Sequence, residues 1–407
     1  MAAEYRTPYD STPTTGNTGT GYGPVLTQRP TFTGTEANAQ IKWPKAETFK
    51  DLRCYVVSNA ASATATIKFR INGADGNLNI PITSGSVGWF EDASNSDSVA
   101  VNDLINFMIS RSDSGSITFR SNGIDAVDDA PSNIVGSWVA TAVGFGTASS
   151  TRYIPGQGTT AINTSESAGV TAYVARAATA RNMRINVAAN ARSTTTTYKF
   201  RLNGADGNMS IPVTASSTGW FEDASNSDSL AAGDYFDFSL TTGTGTGSIT
   251  TQTAYVQLDD ASTSVGIISS GAGSLNTNQT RYWGVIGGAI GTATEDDAEF
   301  SMRGSGTIRN FNIQVASNTS DQTTTFTARK NNADTAITFD VTATSAGNFG
   351  DAVNSFTYAD GDEISLKGVR AAGGSGTISP TRIFFEIVPD NEGTSSVKPW
   401  YYYAQLC

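Results

Sequence analysis

Apolar and polar residues alternate along this chain in short runs, and the runs recur at matching places. Leu52, Cys54 and Val56 alternate with Arg53 and Tyr55, and the same beat returns as Met183, Ile185, Val187 and as Phe311, Ile313, Val315. A second run reads Ile67, Phe69, Ile71, then Tyr198, Phe200, Leu202, then Phe326, Ala328, Lys330. Its return reads Leu78, Ile80, Ile82, then Met209, Ile211, Val213, then Ile337, Phe339, Val341. A later run carries Ile105, Phe107, Ile109, matched by Phe236, Phe238, Leu240. Period two with one apolar face predicts strands in sheets that are covered on one side and packed against each other. No stretch shows sustained helical periodicity.

The turns agree with the runs. Asn72-Gly73 and Asn203-Gly204 sit between two alternating segments, a strong hairpin signal because both residue types tolerate positive φ. The third copy has Asn332 in place of the glycine. Gly233-Asp234 and Gly361-Asp362 precede the later strand in the second and third copies, where the first has Asn102-Asp103.

The recurrence is a whole-domain repeat. The decapeptide Trp-Phe-Glu-Asp-Ala-Ser-Asn-Ser-Asp-Ser occurs at 89–98 and unchanged at 220–229, and Asn-Gly-Ala-Asp-Gly-Asn occurs at 72–77 and 203–208. Both pairs are offset by 131 residues, far beyond the ~20–50 of a solenoid repeat. A diverged third copy keeps Arg329, Asn331, Ala333 and Asp334, then Gly347, Phe349, Asp351, Ala352, Asn354 and Asp362. The predicted fold is all-β: three tandem antiparallel β-sandwich domains of jelly-roll type. The register divides the chain into a flexible N-terminal tail (1–19), repeat one (20–133), a linker (134–150), repeat two (151–262), a linker (263–279), repeat three (280–390) and an aromatic tail (391–407). Thr151-Arg152-Tyr153 and Thr280-Arg281-Tyr282 open the later repeats, and Tyr22 is the matching point in the first.

Composition narrows the chemistry. Charged residues are 15% of the 407, which fits short strands and turns better than helical bundles. The net charge of −11 with scattered basic residues argues against nucleic-acid binding. There is no histidine, which removes every imidazole-based triad and the commonest zinc ligand. Cys54 replaces Ile185 and Ile313 of the other copies and reads as a small core residue, while Cys407 is terminal. No apolar run reaches the ~20 residues of a membrane helix, and the N-terminus has no h-region, so neither a membrane span nor a Sec-type signal peptide is expected.

Four features are candidate chemistry. Asp92, Asn95 and Asp97, with Asp223, Asn226 and Asp228, offer hard oxygen ligands, but no bidentate Glu follows and the third copy has Phe356 where the last Asp stands. Asx-turns explain the same residues, and no metal or other cofactor is expected. Glu91 with Asp92, and Glu222 with Asp223, are the best carboxylate pairs for glycan hydrolysis. Adjacent strand residues point to opposite faces, however, so no enzyme is expected. Trp89 and Trp220 are either sugar platforms or covers on the open end of the sandwich. Trp400, Tyr401, Tyr402 and Tyr403 either cover an edge of the third domain or dock on a partner chain.

Thr-Arg-Tyr, then a strand of the type Arg-Asn-Phe-Asn-Ile-Gln-Val (309–315), then a Thr-rich strand ending in Arg-x-Asn-x-Ala-Asp, then a Gly-Asp turn, resembles jelly-roll domains of bacteriophage virion proteins. These occur in head decoration proteins, head fibres and tail-associated proteins. Unit length and strand count are also similar to the trimeric globular domains of the tumour-necrosis-factor and complement type. The resemblance implies a non-enzymatic structural protein on the virion surface, a capsid decoration or fibre-type protein. The alternative is a tail-associated protein that binds a receptor or host-surface glycan. Its implied partners are other virion proteins of capsid or tail and further copies of itself. A homotrimer of beads is the expected arrangement, and a pseudo-trimer within one chain is the competing one.

Overall fold

The alternation becomes two facing sheets, three times over. The computed structural model describes residues 2–6, 19–25, 33–113, 115–128, 132–146, 148–156, 162–166, 170–174, 177–259, 265–269, 271–285, 289–296, 298–302, 305–390 and 401–402. The first repeat contains β1 (Ala2–Arg6), β2 (Gly19–Gly23), β3 (Ile41–Lys42), β4 (Glu47–Asn59), β5 (Ala65–Ile71), β6 (Ala74–Ile82), β7 (Gly88–Val99), β8 (Leu104–Arg111) and β9 (Ile117–Asp128). The second contains β10 (Ser132–Phe145), β11 (Thr151–Ile154), β12 (Ala172–Tyr173), β13 (Ala178–Asn190), β14 (Thr196–Leu202), β15 (Ala205–Val213), β16 (Gly219–Leu230), β17 (Tyr235–Thr242) and β18 (Ile249–Asp259). The third contains β19 (Val265–Ser269), β20 (Gly271–Ala272), β21 (Thr280–Gly284), β22 (Ala289–Ile290), β23 (Phe300–Ser301), β24 (Gly306–Asn318), β25 (Thr324–Lys330), β26 (Ala333–Val341), β27 (Gly347–Tyr358), β28 (Glu363–Arg370) and β29 (Ile378–Pro389). β30 (Tyr401–Tyr402) follows, and a single 3-10 turn at Glu36–Asn38 is the only helical element among the described residues.

Strand order is the same in each repeat. One sheet runs β1-β9-β4-β7, then β10-β18-β13-β16, then β19-β29-β24-β27. The facing sheet runs β2-β8-β5-β6, then β11-β17-β14-β15, then β21-β28-β25-β26, with β3, β12 and β23 added on β8, β17 and β28. The chain is therefore three antiparallel jelly-roll-like β-sandwiches.

Local chemistry sets the register. Asn72, Asn203 and Asn331 have φ of 52°, 50° and 49°, followed by Gly73, Gly204 and Asn332 at 79°, 79° and 61°, so each hairpin turn has two left-handed residues. The turn is tied to the next one. Asn72 Nδ2 donates to Asp103 Oδ1 at 2.7 Å while its own Oδ1 accepts from the Leu104 amide at 2.9 Å. Asn203 with Asp234, and Asn331 with Asp362, repeat the first bond at the same 2.7 Å. A bulge in β4, β13 and β24 puts Asp51, Asn182 and Asn310 at φ 51°, 52° and 50°, which shifts the inward face so that both Phe49 and Leu52 are buried. Cys54 is fully buried in this core and burial pushes its thiol pKa up, as expected for an unreactive apolar filler. Cys407 lies outside the described residues.

Two expectations about segments between domains are corrected. The 134–150 stretch is not a linker, because β10 covers most of it and pairs along β18, with an irregularity between Trp138 and Val143. Within 263–279, β19 pairs with β29 in the same way. The N-terminal tail likewise contributes β1, paired with β9. Each is an outer strand whose backbone donors and acceptors are satisfied by the neighbouring edge, which needs no apolar side-chain pattern.

Candidate functional site

The duplicated decapeptide lies in β7 and β16, and its carboxylates are spent on holding the backbone. Asp92 accepts from the Asn79 amide at 2.9 Å through Oδ2, and from Ser94 N (3.2 Å), Ser94 Oγ (3.0 Å) and Asn95 Nδ2 (2.9 Å). Asp223 repeats the pattern with Ser210, Ser225 and Asn226. Burial pushes the Asp223 carboxyl up, but hydrogen bonds from Asn226, the Ser210 amide and Ser225 outweigh it and hold its pKa at about 2. In the third copy Asp351 accepts from the Val353 and Asn354 amides, both at 2.9 Å.

Asp97 and Asp228 do the same work one turn on. Asp97 accepts from the Asn77 amide at 2.7 Å and the Leu78 amide at 2.9 Å. Asp228 accepts from Asn208 at 2.7 Å and Met209 at 3.3 Å. The space this needs explains a glycine: a Cβ on Gly207 would lie 2.7 Å from Asp228 Oδ2. Lone pairs committed to amides are not offered to a cation. Among the described residues no group of three His, Cys, Asp or Glu is placed to hold a metal ion. Chelation with EDTA is expected to leave the melting temperature unchanged; a fall of more than about 10 °C would show a tightly held cation.

Glu91 and Glu222 face the other way. Glu91 pairs with Arg53 at 3.1 Å and Glu222 with Arg184 at 3.0 Å, across the strand pairs β4–β7 and β13–β16. Each Glu therefore points out of its sheet while the adjacent Asp points into the β6 or β15 edge, so the two do not flank one bond. Trp89 lies beside Tyr55 (edge-on, 5.2 Å) and is 42% exposed, whereas Trp220 is half-buried against Tyr255 at 5.9 Å.

That outward face is where one domain meets the next. Arg184 Nη1 donates to the carbonyls of Lys42 and Trp43 in the first domain, at 3.2 Å each. The Tyr255 hydroxyl also donates to Lys42 O, and Gln252 Nε2 donates to Asn38 O at 2.7 Å. The third domain receives the second through equivalent elements. Arg382 Nε donates to Thr171 O at 3.2 Å and Gln314 Nε2 to the Tyr173 hydroxyl at 3.2 Å. Phe384, in the register position of Tyr255, stacks on Tyr173 at 5.6 Å. Asn348, which stands where Trp89 and Trp220 do, lies beside the same Tyr173 hydroxyl. Thus Trp220 and Glu222 of the second decapeptide border a contact between domains.

Of the aromatic tail, Tyr401 and Tyr402 form β30, paired in parallel with β1 at Tyr5 and Arg6. The strand partner is in the first domain, with β10 and the third domain's outer strand β19 alongside. Trp400 and Tyr403 lie outside the described residues.

A repeated ion cluster was not foreseen. Arg70 binds Glu36 (2.6 Å) and Asp75; Arg201 binds Glu166 (2.6 Å) and Asp206; Arg329 binds Glu295 (2.8 Å) and Asp334 (2.5 Å). Each Glu comes from a loop 34 or 35 residues before its Arg. In the second domain the fully buried Asp237 joins the cluster, and burial, then the Glu166 charge, push its carboxyl up to about 8. The first domain has Asn106 at this position and the third Ser365. A carboxyl whose folded pKa is raised contributes stability below its ordinary pKa of ~3.9 and loses it as pH rises through the folded value. The wild type is expected to lose stability through this group as pH rises across the neutral range, and Asp237→Asn to remove that slope. Thermal melts of both proteins across this range check it; parallel pH profiles would refute the assignment.

No family model and no curated protein sequence matches this chain. Thirty-four chains of solved structures match, and two of them come from archaeal viruses. One belongs to work on the triple jelly roll fold and turret assembly in an archaeal virus: 11% identity, TM-score 0.16, covering 88% of this chain and 81% of that one. The other is from the atomic structure of Sulfolobus turreted icosahedral virus: 12% identity, TM-score 0.15, covering 85% and 80%. Overlap at these TM-scores says nothing about what this chain does.

Proposed function

We propose that this chain is a non-enzymatic structural protein of a virus particle, a capsid decoration or fibre-type surface protein of a bacteriophage. The observation that carries the reading is the use made of the duplicated motif. Its Asp side chains brace backbone amides in both copies, and in the second copy its Glu and Trp border a domain contact, so the most repetitive part of the sequence serves construction. The resemblance of the strand-and-turn order to phage virion jelly rolls supplies the context. Partners are then other virion proteins, met by sandwich faces that the three domains present together. The test is copurification. The chain should band with intact particles through a density gradient at a stoichiometry set by particle symmetry, and its absence from purified particles would overturn the proposal.

A second reading rests on Trp89, which is exposed beside Tyr55 and could offer a ring face to a pyranose. In that case the chain is a tail-associated receptor- or glycan-binding protein. A glycan-array signal abolished by Trp89→Ala favours it.

A further inference from the structure

We infer that the three domains close into an intramolecular trimer, the Phe300–Met302 segment of the third seating on the Arg53–Glu91 face of the first, with the C-terminal strand on the pseudo-threefold line. The contacts described above advance in one sense. The segment around β3 of the first domain seats on β13 and β18 of the second. The segment around β12 of the second seats on β24 and β29 of the third. β23 is the third member of this set, since β3, β12 and β23 add to equivalent strands β8, β17 and β28. The first domain carries the matching receiver, with Arg53 paired to Glu91 as Arg184 is paired to Glu222. The buried arginine is the recurrent part: Arg53 is 9% exposed and Arg184 4%.

Two further observations turn a chain of contacts into a ring. β1, β10 and β19 are the equivalent outer strands of the three domains, and all three lie beside the two-residue strand β30. Equivalent elements gathered around one short segment place the domains about a common line, where the step after the third domain returns to the first. Residue size is also complementary. The bulky donor Tyr173 meets Asn348, the small member of its position. The third domain's donor position holds Ser301, and the receiver in the first holds Tyr55 and Trp89, with Gly123 in the register position of Tyr255 and Phe384. At the position shared by Trp89 and Asn348, a large donor residue goes with a small receiver and a small donor residue with a large one. A closed set of interfaces is also the common solution for such units.

The inference is independent of the virion role and is tested on the purified full chain. Light scattering should give the mass of one chain at micromolar concentration, with a radius of gyration near 22 Å by small-angle X-ray scattering, the value for a single compact body of this length. A homotrimer, or a monomer near roughly 30 Å as for three domains in a row, overturns it. Ser301→Trp, a large residue at the register position of Tyr173, should expand the particle; no change in radius counts against closure. Should that variant not fold, Arg53→Ala serves instead. It is expected to speed hydrogen exchange of the 300–302 amides about tenfold or more while leaving those at 171–173 unaffected, and unchanged exchange at 300–302 refutes the contact.

Discussion

Asp228→Ala is expected to destabilise the second domain by about 3 kcal/mol, seen as a fall in urea midpoint at constant slope. The carboxylate is buried and accepts from the amides of Asn208 and Met209, so its loss strands two donors in the sandwich edge. Gly207→Thr alone should also be costly, because its Cβ would press on that carboxylate at 2.7 Å. The third domain shows how both changes can coexist. It has Thr335 and Phe356 at these positions; the Thr335 hydroxyl accepts from the Ile337 amide at 3.3 Å, and Phe356 packs on the core. Ile337 corresponds to Met209, so a threonine oxygen replaces the aspartate as acceptor. The double variant Gly207→Thr/Asp228→Phe should therefore cost at least 1–2 kcal/mol less than the sum of its parts. Strict additivity would mean that the two positions do not form one unit.

This pair also shows what the sequence makes legible. Period-two alternation and Asn-Gly turns mark β5, β6, β14 and β15 because both their side-chain pattern and their positive-φ turns leave a trace. The outer strands leave none. β10 holds its place through backbone pairing to β18, and its Gly, Ser, Thr and Ala content reads as linker. The Glu36, Glu166 and Glu295 partners are hidden for a different reason. They sit between strands, where no periodicity exists, and are offset by 130 and 129 residues where the strands keep 131 and 128. A drift in register at one residue type, repeated in all three copies and always ahead of the same Arg, is the signal that could have found them. Arg53 and Arg184 were visible but misleading, since an arginine on the outward face of a strand reads as solvated. Only the placement of the preceding domain shows Arg184 to be buried. The same holds for Trp220 and Glu222: sequence identity marks them as special, and the neighbouring domain supplies the reason.

Arg184→Ala is the substitution expected to show that domain contact most directly. The guanidinium is 5% exposed, donates to Lys42 O and Trp43 O at 3.2 Å, and pairs with Glu222 at 3.0 Å. Truncation removes two charge-assisted bonds that cross between domains and leaves Glu222 without its counter-ion, a loss of about 2–4 kcal/mol that is moderated because Glu222 is partly exposed. The Tyr255 hydroxyl still reaches Lys42 O, so the contact is weakened and not abolished. Adding Tyr255→Phe removes that remaining bond. Since both residues serve the same carbonyl, the double variant should depart from additivity by roughly 0.5–3 kcal/mol. Core packing within each sandwich is untouched, so the effect should fall on coupling. Calorimetry of the wild type should show the first and second domains melting together, and Arg184→Ala should split the first domain into an earlier transition. A single transition at an unchanged midpoint would mean that the domains adhere through other surfaces and that the buried arginine is incidental.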